Sequence, residues 1–268
     1  MKNLESIVRT AYFSREPFKS STHYHDCHEI IFILKGQAQI CVNEAKYMAY
    51  GGDIVLFSRY ENHSLKILSS EYERFVIRLN PGLEDTESLI YSLLSNRPQG
   101  FSNVFSADED FENFCRIFSL IVKEANDRRQ DFDKIQALLL NELLIYLLRR
   151  LPDFYRFSED ESFKIVSALQ RRFEANYSAQ YNLYDLAKEF SVSVSSLSHR
   201  FKALTGSSVM DYLLSCRMAA AKNFLAKTNL SVGEIVEKCG FTDSSNFSRT
   251  FKKLNGLSPT QFRNKYKN

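Results

Sequence analysis

A short sequence element occurs twice in the second half of the chain, and this repeat limits the folds that the segment can adopt. The first copy, SSLSHRFKALTGSS, begins at Ser195, and the second, SNFSRTFKKLNGLS, begins 50 residues later at Ser245. The copies share phenylalanine, lysine, leucine, glycine and serine at equal spacing. No glycine or proline interrupts residues 208–227, so a long helix is predicted to join the two copies.

Each copy predicts a helix, a short turn and a second helix. Apolar side chains recur at helical spacing on both sides of each turn. The leading helices are predicted at 183–190 and 232–239, and the second helices at 194–204 and 244–254. Residues typical of helix starts and stops stand at the expected ends: Asn182, Ser231, Ser258, Gly206 and Gly256.

The face of each second helix that lies away from its apolar side chains is polar and basic. An α-helix with such a face fits the DNA major groove, and two copies on one long helix could enter successive grooves, roughly 34 Å apart. Helical hairpins also occur in bundles and solenoids, so the spacing alone leaves both interpretations open. The residues of the two faces are Ser195, Ser198, His199 and Lys202, then Ser245, Asn246, Arg249, Lys252 and Lys253.

The charge of the chain is unevenly distributed. Residues 162–268 hold 16 lysines and arginines against 7 acidic residues, which gives +9. Residues 1–161 hold 19 against 25, which gives −6. A basic segment of this kind favours a polyanionic partner, although a solvated basic face is the simpler alternative. Together with the repeat, the charge predicts that the second half binds double-stranded DNA.

The first part of the chain predicts strands followed by helices. Four short runs rich in β-branched and aromatic residues favour a barrel or sandwich over residues 1–80: EIIFIL, AQICV, DIVLF and RFVIRL. Helices are predicted over residues 85–95, 108–126 and 132–150. The predicted fold class is therefore α+β with two domains. These comprise residues 1–150, a proline-containing acidic linker at 151–162, and an all-α domain at 163–268.

The helix predicted at 132–150 is apolar on several sides, with the sequence FDKIQALLLNELLIYLLRR. One side can pack on the strands or on the preceding helix. Another side is expected to need a second subunit, which predicts a homodimer. The alternative is a helix fully buried within one chain.

Residues 163–266 resemble the DNA-binding domain of the AraC/XylS transcriptional regulators, most specifically in GFTDSSNFSRTFKKLNGLSPTQFR. The resemblance implies a bacterial origin, two helix-turn-helix units and RNA polymerase as a further partner. Base contacts would come from Ser195, Ser198 and His199, then from Ser244, Ser245, Asn246 and Arg249. Lys202, Lys252 and Lys253 are expected to contact phosphate. We call the helices predicted at 194–204 and 244–254 the reading helices. The first reading helix departs from the family in its many serines, which discriminate bases weakly.

The sequence HYHDCHEIIFILKG, together with GDIVLFSRYENH downstream, resembles the cupin barrel. In metal cupins the corresponding residues hold a divalent metal, here His23, His25, Glu29 and His63. AraC-type regulators carry a similar stretch without metal chemistry, and Ser58 and Tyr60 replace the usual proline and glycine of the second signature. We therefore expect no metal or other cofactor. We expect instead an effector pocket formed by His25, Glu29, His63, Phe32 and Phe57, with purely structural hydrogen bonding by the histidines and Glu29 as the alternative. Arg78, near the end of a strand, could meet an anion, but a surface position is the expectation.

These observations predict a sequence-specific DNA-binding transcriptional regulator that responds to a small molecule. The chain carries no nucleophile elbow, Walker loop or dinucleotide fingerprint, so we do not expect an enzyme. A metal-dependent cupin enzyme fused to a DNA-binding module is the alternative, and a regulator controlled by a protein partner is a third. No apolar run reaches the length of a membrane span and the five cysteines are scattered, which predicts a cytoplasmic protein associated with the nucleoid.

Overall fold

The computed structural model describes residues 7–15, 22–42, 45–80, 93–94, 103–149 and 161–267. The chain folds as two compact units, Met1–Ser158 and Glu159–Asn268. Most of the helix predicted at 85–95 lies outside the described residues, as does the predicted linker up to residue 160. Within the described part, no helix is long and apolar enough to cross a membrane.

The first unit contains two antiparallel sheets, in the orders β1-β7-β2-β5-β8 and β4-β3-β6. The four strands predicted from the sequence are β2, β3, β5 and β7, whereas the other four strands were missed. The eight described strands are β1 Val8–Ser14, β2 His28–Lys35, β3 Gln37–Val42, β4 Ala45–Tyr50, β5 Asp53–Phe57, β6 His63–Ile67, β7 Glu73–Leu79 and β8 Val104–Ser106.

Helices α1, Phe111–Asp127, and α2, Phe132–Arg149, follow the strands and cover the larger sheet. Both helices were predicted, and a short 3₁₀ turn at Asp108–Asp110 precedes the first. Their apolar side chains join those of the sheet in one cluster, which we call the helix-side core. A second cluster, the inter-sheet core, lies between the two sheets.

Strand β2 is buried on both faces because each face meets a different core. Ile30 belongs to the helix-side core and Ile31 to the inter-sheet core, as expected for side chains that alternate along a strand. Phe32 faces the helices, with its ring centroid 5.2 Å from that of Phe118 and 5.5 Å from that of Phe111. Phe32 therefore does not line the interior between the sheets, where the sequence analysis placed it.

The second unit is all helical in its described residues, and its helices have the order that the repeat predicts. Helix α3 begins inside the segment predicted as the linker. The helices are α3 Glu161–Ala175, α4 Leu183–Glu189, α5 Val194–Thr205, α6 Val209–Lys227, α7 Val232–Lys238, α8 Ser244–Asn255 and α9 Pro259–Tyr266.

The predicted helix ends are confirmed by their capping hydrogen bonds. Asn182 caps α4 by accepting from the backbone N–H of Tyr184, and Ser231 and Ser258 form capping boxes at the starts of α7 and α9. Gly206 and Gly256 end α5 and α8 in the left-handed region, where glycine is unstrained. Local chemistry thus defines the boundaries of both helix pairs.

Two glycines offer a matched test of how closely the backbone packs after α7. Gly240 lies between α7 and α8 with φ +76°, and an added Cβ would overlap the backbone carbonyl of Ser178. Gly256 has φ +72°, but an added Cβ would meet nothing within 4 Å. We expect Gly256→Ala to lower the free energy of unfolding by about 1–2 kcal/mol, which is the cost of the left-handed backbone alone. Gly240→Ala should cost more, about 3 kcal/mol or above, because backbone must also move.

Urea denaturation of the full-length variants, followed by far-ultraviolet circular dichroism, measures both losses. Equal losses for the two glycines would contradict the close approach of residue 240 to Ser178.

Candidate functional site

Three imidazoles meet at one end of the first unit because backbone hydrogen bonds hold their segments together. The N–H of His23 donates to the carbonyl of His63 at 3.0 Å, and the N–H of His63 donates back at 2.9 Å. The N–H of Tyr60 donates to the carbonyl of His25 at 2.9 Å. The ligand atoms of the three histidines consequently lie within 4.8 Å of one another.

Glu29 lies beneath the imidazoles and is the buried carboxylate of the site. It is 5% exposed and stands directly opposite Arg78 in the register of β2 and β7. Arg78 donates from Nε to Oε1 of Glu29 at 2.7 Å. The other carboxylate oxygen, Oε2, lies 3.5 Å from Nε2 of His25 and 3.8 Å from Nε2 of His63. Arg78, expected at the surface, is thus half-buried and part of this cluster.

Hydrogen bonds to backbone carbonyls orient two of the imidazoles. Nδ1 of His25 lies 2.9 Å from the carbonyl oxygen of Cys27, and Nδ1 of His63 lies 2.8 Å from that of Glu61. An Nδ1–H that donates to a carbonyl turns Nε2 toward Glu29. The ring of His63 also stacks on Phe57, with centroids 4.0 Å apart. Imidazoles anchored in this way can hold a divalent cation, and among the described residues this cluster is the one suited to it.

The cluster shifts the pKa values of its members in opposite directions. Burial lowers the pKa of His25, but its contacts with Cys27 and Glu29 outweigh burial and raise the pKa to about 9. Burial raises the pKa of Glu29, but the neighbouring His25 and the positive charge of Arg78 hold it well below its usual range. Burial, reinforced by the charge of His25, lowers the pKa of His63 to about 3. At neutral pH His25 is therefore charged and His63 is neutral.

A cavity of about 240 Å³ opens between the sheets beside this cluster. Of the predicted effector residues, Glu29, Phe57 and His63 line it, whereas His25 is not among the described lining residues and Phe32 faces the helices. The alternating pattern of β7, in which Arg74, Val76 and Arg78 share a face, was the signal that could have located the missed residues. The lining residues are Tyr12, Ser14, His23, Glu29, Ile31, Phe57, His63, Leu65, Arg74, Val76 and Arg78.

In the second unit, the predicted reading faces are presented to solvent. Leu197 and Phe201 of α5 are buried, as are Phe247 and Phe251 of α8, so the opposite side of each helix is free to contact a partner. Ser198 is half-buried, and the other predicted DNA-binding side chains are exposed: Ser195, His199, Lys202, Ser244, Ser245, Asn246, Arg249, Lys252 and Lys253.

The two reading helices begin with side-chain caps but differ in chemistry. Ser193 accepts from the N–H of Ser196 at the start of α5, and Asp243 accepts from the N–H groups of two residues at the start of α8. The exposed face of α8 carries an arginine and two lysines, whereas that of α5 carries one lysine, one histidine and serines. Arg200, also on α5, lies 3.6 Å from a carboxylate oxygen of Glu161.

The opposite pKa shifts predict a stability optimum near pH 6.5. As the pH rises from 6.5 toward 9, unfolded His25 loses its proton while folded His25 keeps it, so the free energy of unfolding falls. As the pH drops below 6.5, unfolded His63 gains a proton that folded His63 does not accept until about pH 3, so stability falls again. His25→Gln should weaken the decline in the free energy of unfolding above pH 6.5, and His63→Gln should weaken the decline below it.

Urea denaturation of full-length protein at several pH values tests this prediction. His199→Gln, an exposed change on α5, is the control and should leave both slopes unchanged. If His25→Gln and His63→Gln retain both slopes of the unsubstituted protein, the assigned charges are wrong.

Two protein-family models match this chain, one within each unit. The model of the AraC-like ligand binding domain matches residues 6–148, and that of a helix-turn-helix domain matches residues 186–265. The transcriptional activator RhaR of Pectobacterium atrosepticum is 26% identical over 92% of this chain and 87% of its own. The Msm operon regulatory protein of Streptococcus mutans is 26% identical over 91% and 86%.

Among solved structures, ToxT of Vibrio cholerae has a similar fold. The TM-score is 0.64 at 14% identity, over 97% of this chain and 99% of the ToxT chain. The ligand-binding model alone matches more than half of the 268 residues, and the relatives match nearly the whole chain. The chain therefore belongs to the AraC family of transcriptional regulators.

Proposed function

We propose that this protein regulates transcription by binding operator DNA through α5 and α8, and that a small molecule in the cavity of the first unit controls that binding. The observation that carries the proposal is the pair of capped helices with exposed polar and basic faces. The basic charge of the second unit supports it, because phosphate contacts supply much of the affinity for DNA. The protein would act in the bacterial cytoplasm on nucleoid DNA.

The two reading helices are proposed to divide their tasks. Arg249 and Asn246 on α8 have side chains that can make paired hydrogen bonds with guanine and adenine, respectively. The serines of α5 discriminate bases weakly, so α5 would mainly contact phosphate, with Lys202 at its exposed face. Sequence preference should then be stronger in the half of the site that α8 contacts.

Substitutions on α8 test this division. Arg249→Ala should cost roughly 1–3 kcal/mol of binding at one base pair and relax the preference there. Lys252→Ala should weaken binding to all sequences and reduce the salt dependence by about one phosphate contact. Lys164→Ala, an exposed change on α3, is the charge-matched control and should have neither effect.

The measurement is selection of full-length protein and variants on random duplex DNA, followed by titration of single-base variants of the selected site. If Arg249→Ala weakens all sequences equally, Arg249 contacts phosphate. If the unsubstituted protein selects no sequence, operator recognition itself is refuted.

A metal-dependent enzyme is the second candidate, and the cluster of His23, His25 and His63 is the observation that favours it. Zinc or a similar ion held there would act as a Lewis acid in the cavity. The regulator is the better-supported proposal, because Glu29 is already balanced by Arg78 and His25 without a cation. Metal analysis of the purified protein separates these two candidates. A regulator whose first unit is controlled by a protein partner is the third candidate.

We further propose that the regulator is a homodimer that pairs through α2. One side of this helix packs in the helix-side core, but Ile135, Leu138 and Ile145 are 43%, 65% and 42% exposed. Their spacing places them on one stripe of the helix. A second copy of the chain would cover the stripe and bring two DNA-binding units to one operator. RNA polymerase is proposed as a further partner on family membership alone.

Leu138→Glu should convert the dimer into a monomer, because it places a charge in the middle of the apolar stripe. Leu68→Glu makes the same change at another exposed leucine of the first unit, 43% exposed, and should leave the dimer intact. Sedimentation of full-length protein at micromolar concentration, with and without operator DNA, measures the outcome. An unsubstituted protein that stays monomeric under both conditions would refute the dimer.

A further inference from the structure

The alternation of β7 places two arginines inside the first unit. Phe75, Ile77 and Leu79 belong to the helix-side core, so Arg74, Val76 and Arg78 project to the opposite face and line the cavity. Placing a guanidinium between two sheets is costly unless a negative charge accompanies it. An anionic ligand in the cavity would offset part of this cost.

The described wall of the cavity carries two arginines and one carboxylate. Arg78 and Glu29 compensate each other through their 2.7 Å contact. Arg74 lies 5.6 Å from the centre of the Tyr72 ring. An anionic ligand would therefore enter a cavity whose one carboxylate among the described lining residues is already paired with an arginine.

Arg78 is oriented to bind an anion. Its Nε–H donates to Glu29, and within the described part of the chain its Nη groups make no hydrogen bond. The carboxylate of Glu29 holds the guanidinium in place. A guanidinium fixed in this way presents its remaining N–H groups as a fork, the geometry that binds carboxylate or phosphate oxygens.

The remaining walls and the volume limit the rest of the ligand. Ile31, Phe57, Leu65 and Val76 provide an apolar surface, and Tyr12 and Ser14 provide hydroxyl groups. A volume of about 240 Å³ corresponds to about eight water molecules at roughly 30 Å³ each. This suits a compact metabolite.

We infer that the ligand of the first unit is a small organic anion, a carboxylate or a phosphate monoester, whose acid group binds the Nη edge of Arg78 close to Arg74. The inference rests on the proposed function, since it assigns a chemical class to the molecule that occupies the cavity. The acid group is held by the two arginines, and the body of the molecule lies against Phe57 and the aliphatic wall.

The test compares acids with uncharged molecules of nearly the same shape. Full-length protein at neutral pH and constant ionic strength is titrated calorimetrically with lactate and lactamide, gluconate and glucose, and glycerol 3-phosphate and glycerol. At least one acid should bind, and its uncharged counterpart should bind at least about tenfold more weakly. Comparing the affinities of lactate and gluconate with that of glycerol 3-phosphate identifies whether the site prefers a carboxylate or a phosphate.

Arg78→Gln should lower the affinity for the acid by about tenfold or more. Arg74→Gln provides an independent variant if the first does not fold. Lys66→Gln, an exposed change on β6 next to the cavity residue Leu65, removes the same charge and should leave the affinity within about twofold. An acid that binds both arginine variants as tightly as the unsubstituted protein would overturn the inference, as would the absence of binding by every acid.

Operator affinity measured in the same samples separates this inference from the proposed function. If only uncharged compounds bind the cavity and change operator affinity, the inferred anionic ligand class is wrong and the proposed regulator function is supported. If an acid binds through Arg78 without any change in operator affinity, the ligand class stands and control of DNA binding by that ligand is wrong.

Discussion

The alternation of side chains along β2 and β7 is the constraint on which the first unit depends. These two strands pair directly, and each must supply two different cores from neighbouring residues. Because Glu29 stands opposite Arg78, the register that packs the phenylalanines against the helices also brings the two charges together between the sheets. A shift of one residue in either strand would place those charges in the helix-side core. The fold and the chemistry of the cavity are therefore determined by the same pairing.

The second unit depends on local signals instead. Each helix pair carries its own cap, at least one buried phenylalanine and its own terminal glycine, so the two copies do not need each other to define their boundaries. This independence explains why a stretch of about 100 residues could be interpreted element by element. It also leaves the reading faces of α5 and α8 different in chemistry although their backbones are alike.

Sequence reasoning succeeded where the signal was local. The helix ends at Asn182 and Gly206 and the central strands were predicted, since caps and β-branched runs act within a few residues. It failed for the short strands β4 and β6, whose residues AKYMAY and HSLKI carry weak β-propensity patterns. It also placed Phe32 in the pocket and favoured a surface position for Arg78 over contact with an anion. A strand buried on both faces reads as a continuous apolar run, which hides the side to which each residue points.

The exposure of the reading faces has a consequence for how such a protein can change over evolutionary time. The side chains proposed to read DNA are separate from those that fold the unit: Phe247 and Phe251 are buried, whereas Asn246 and Arg249 face solvent on the same helix. Exposed substitutions away from caps usually alter stability by no more than about 0.5 kcal/mol. If these side chains read DNA as proposed, mutations there can retarget the protein to new promoters without first compromising its fold, and duplicated genes of this kind can diverge in specificity at little cost in stability.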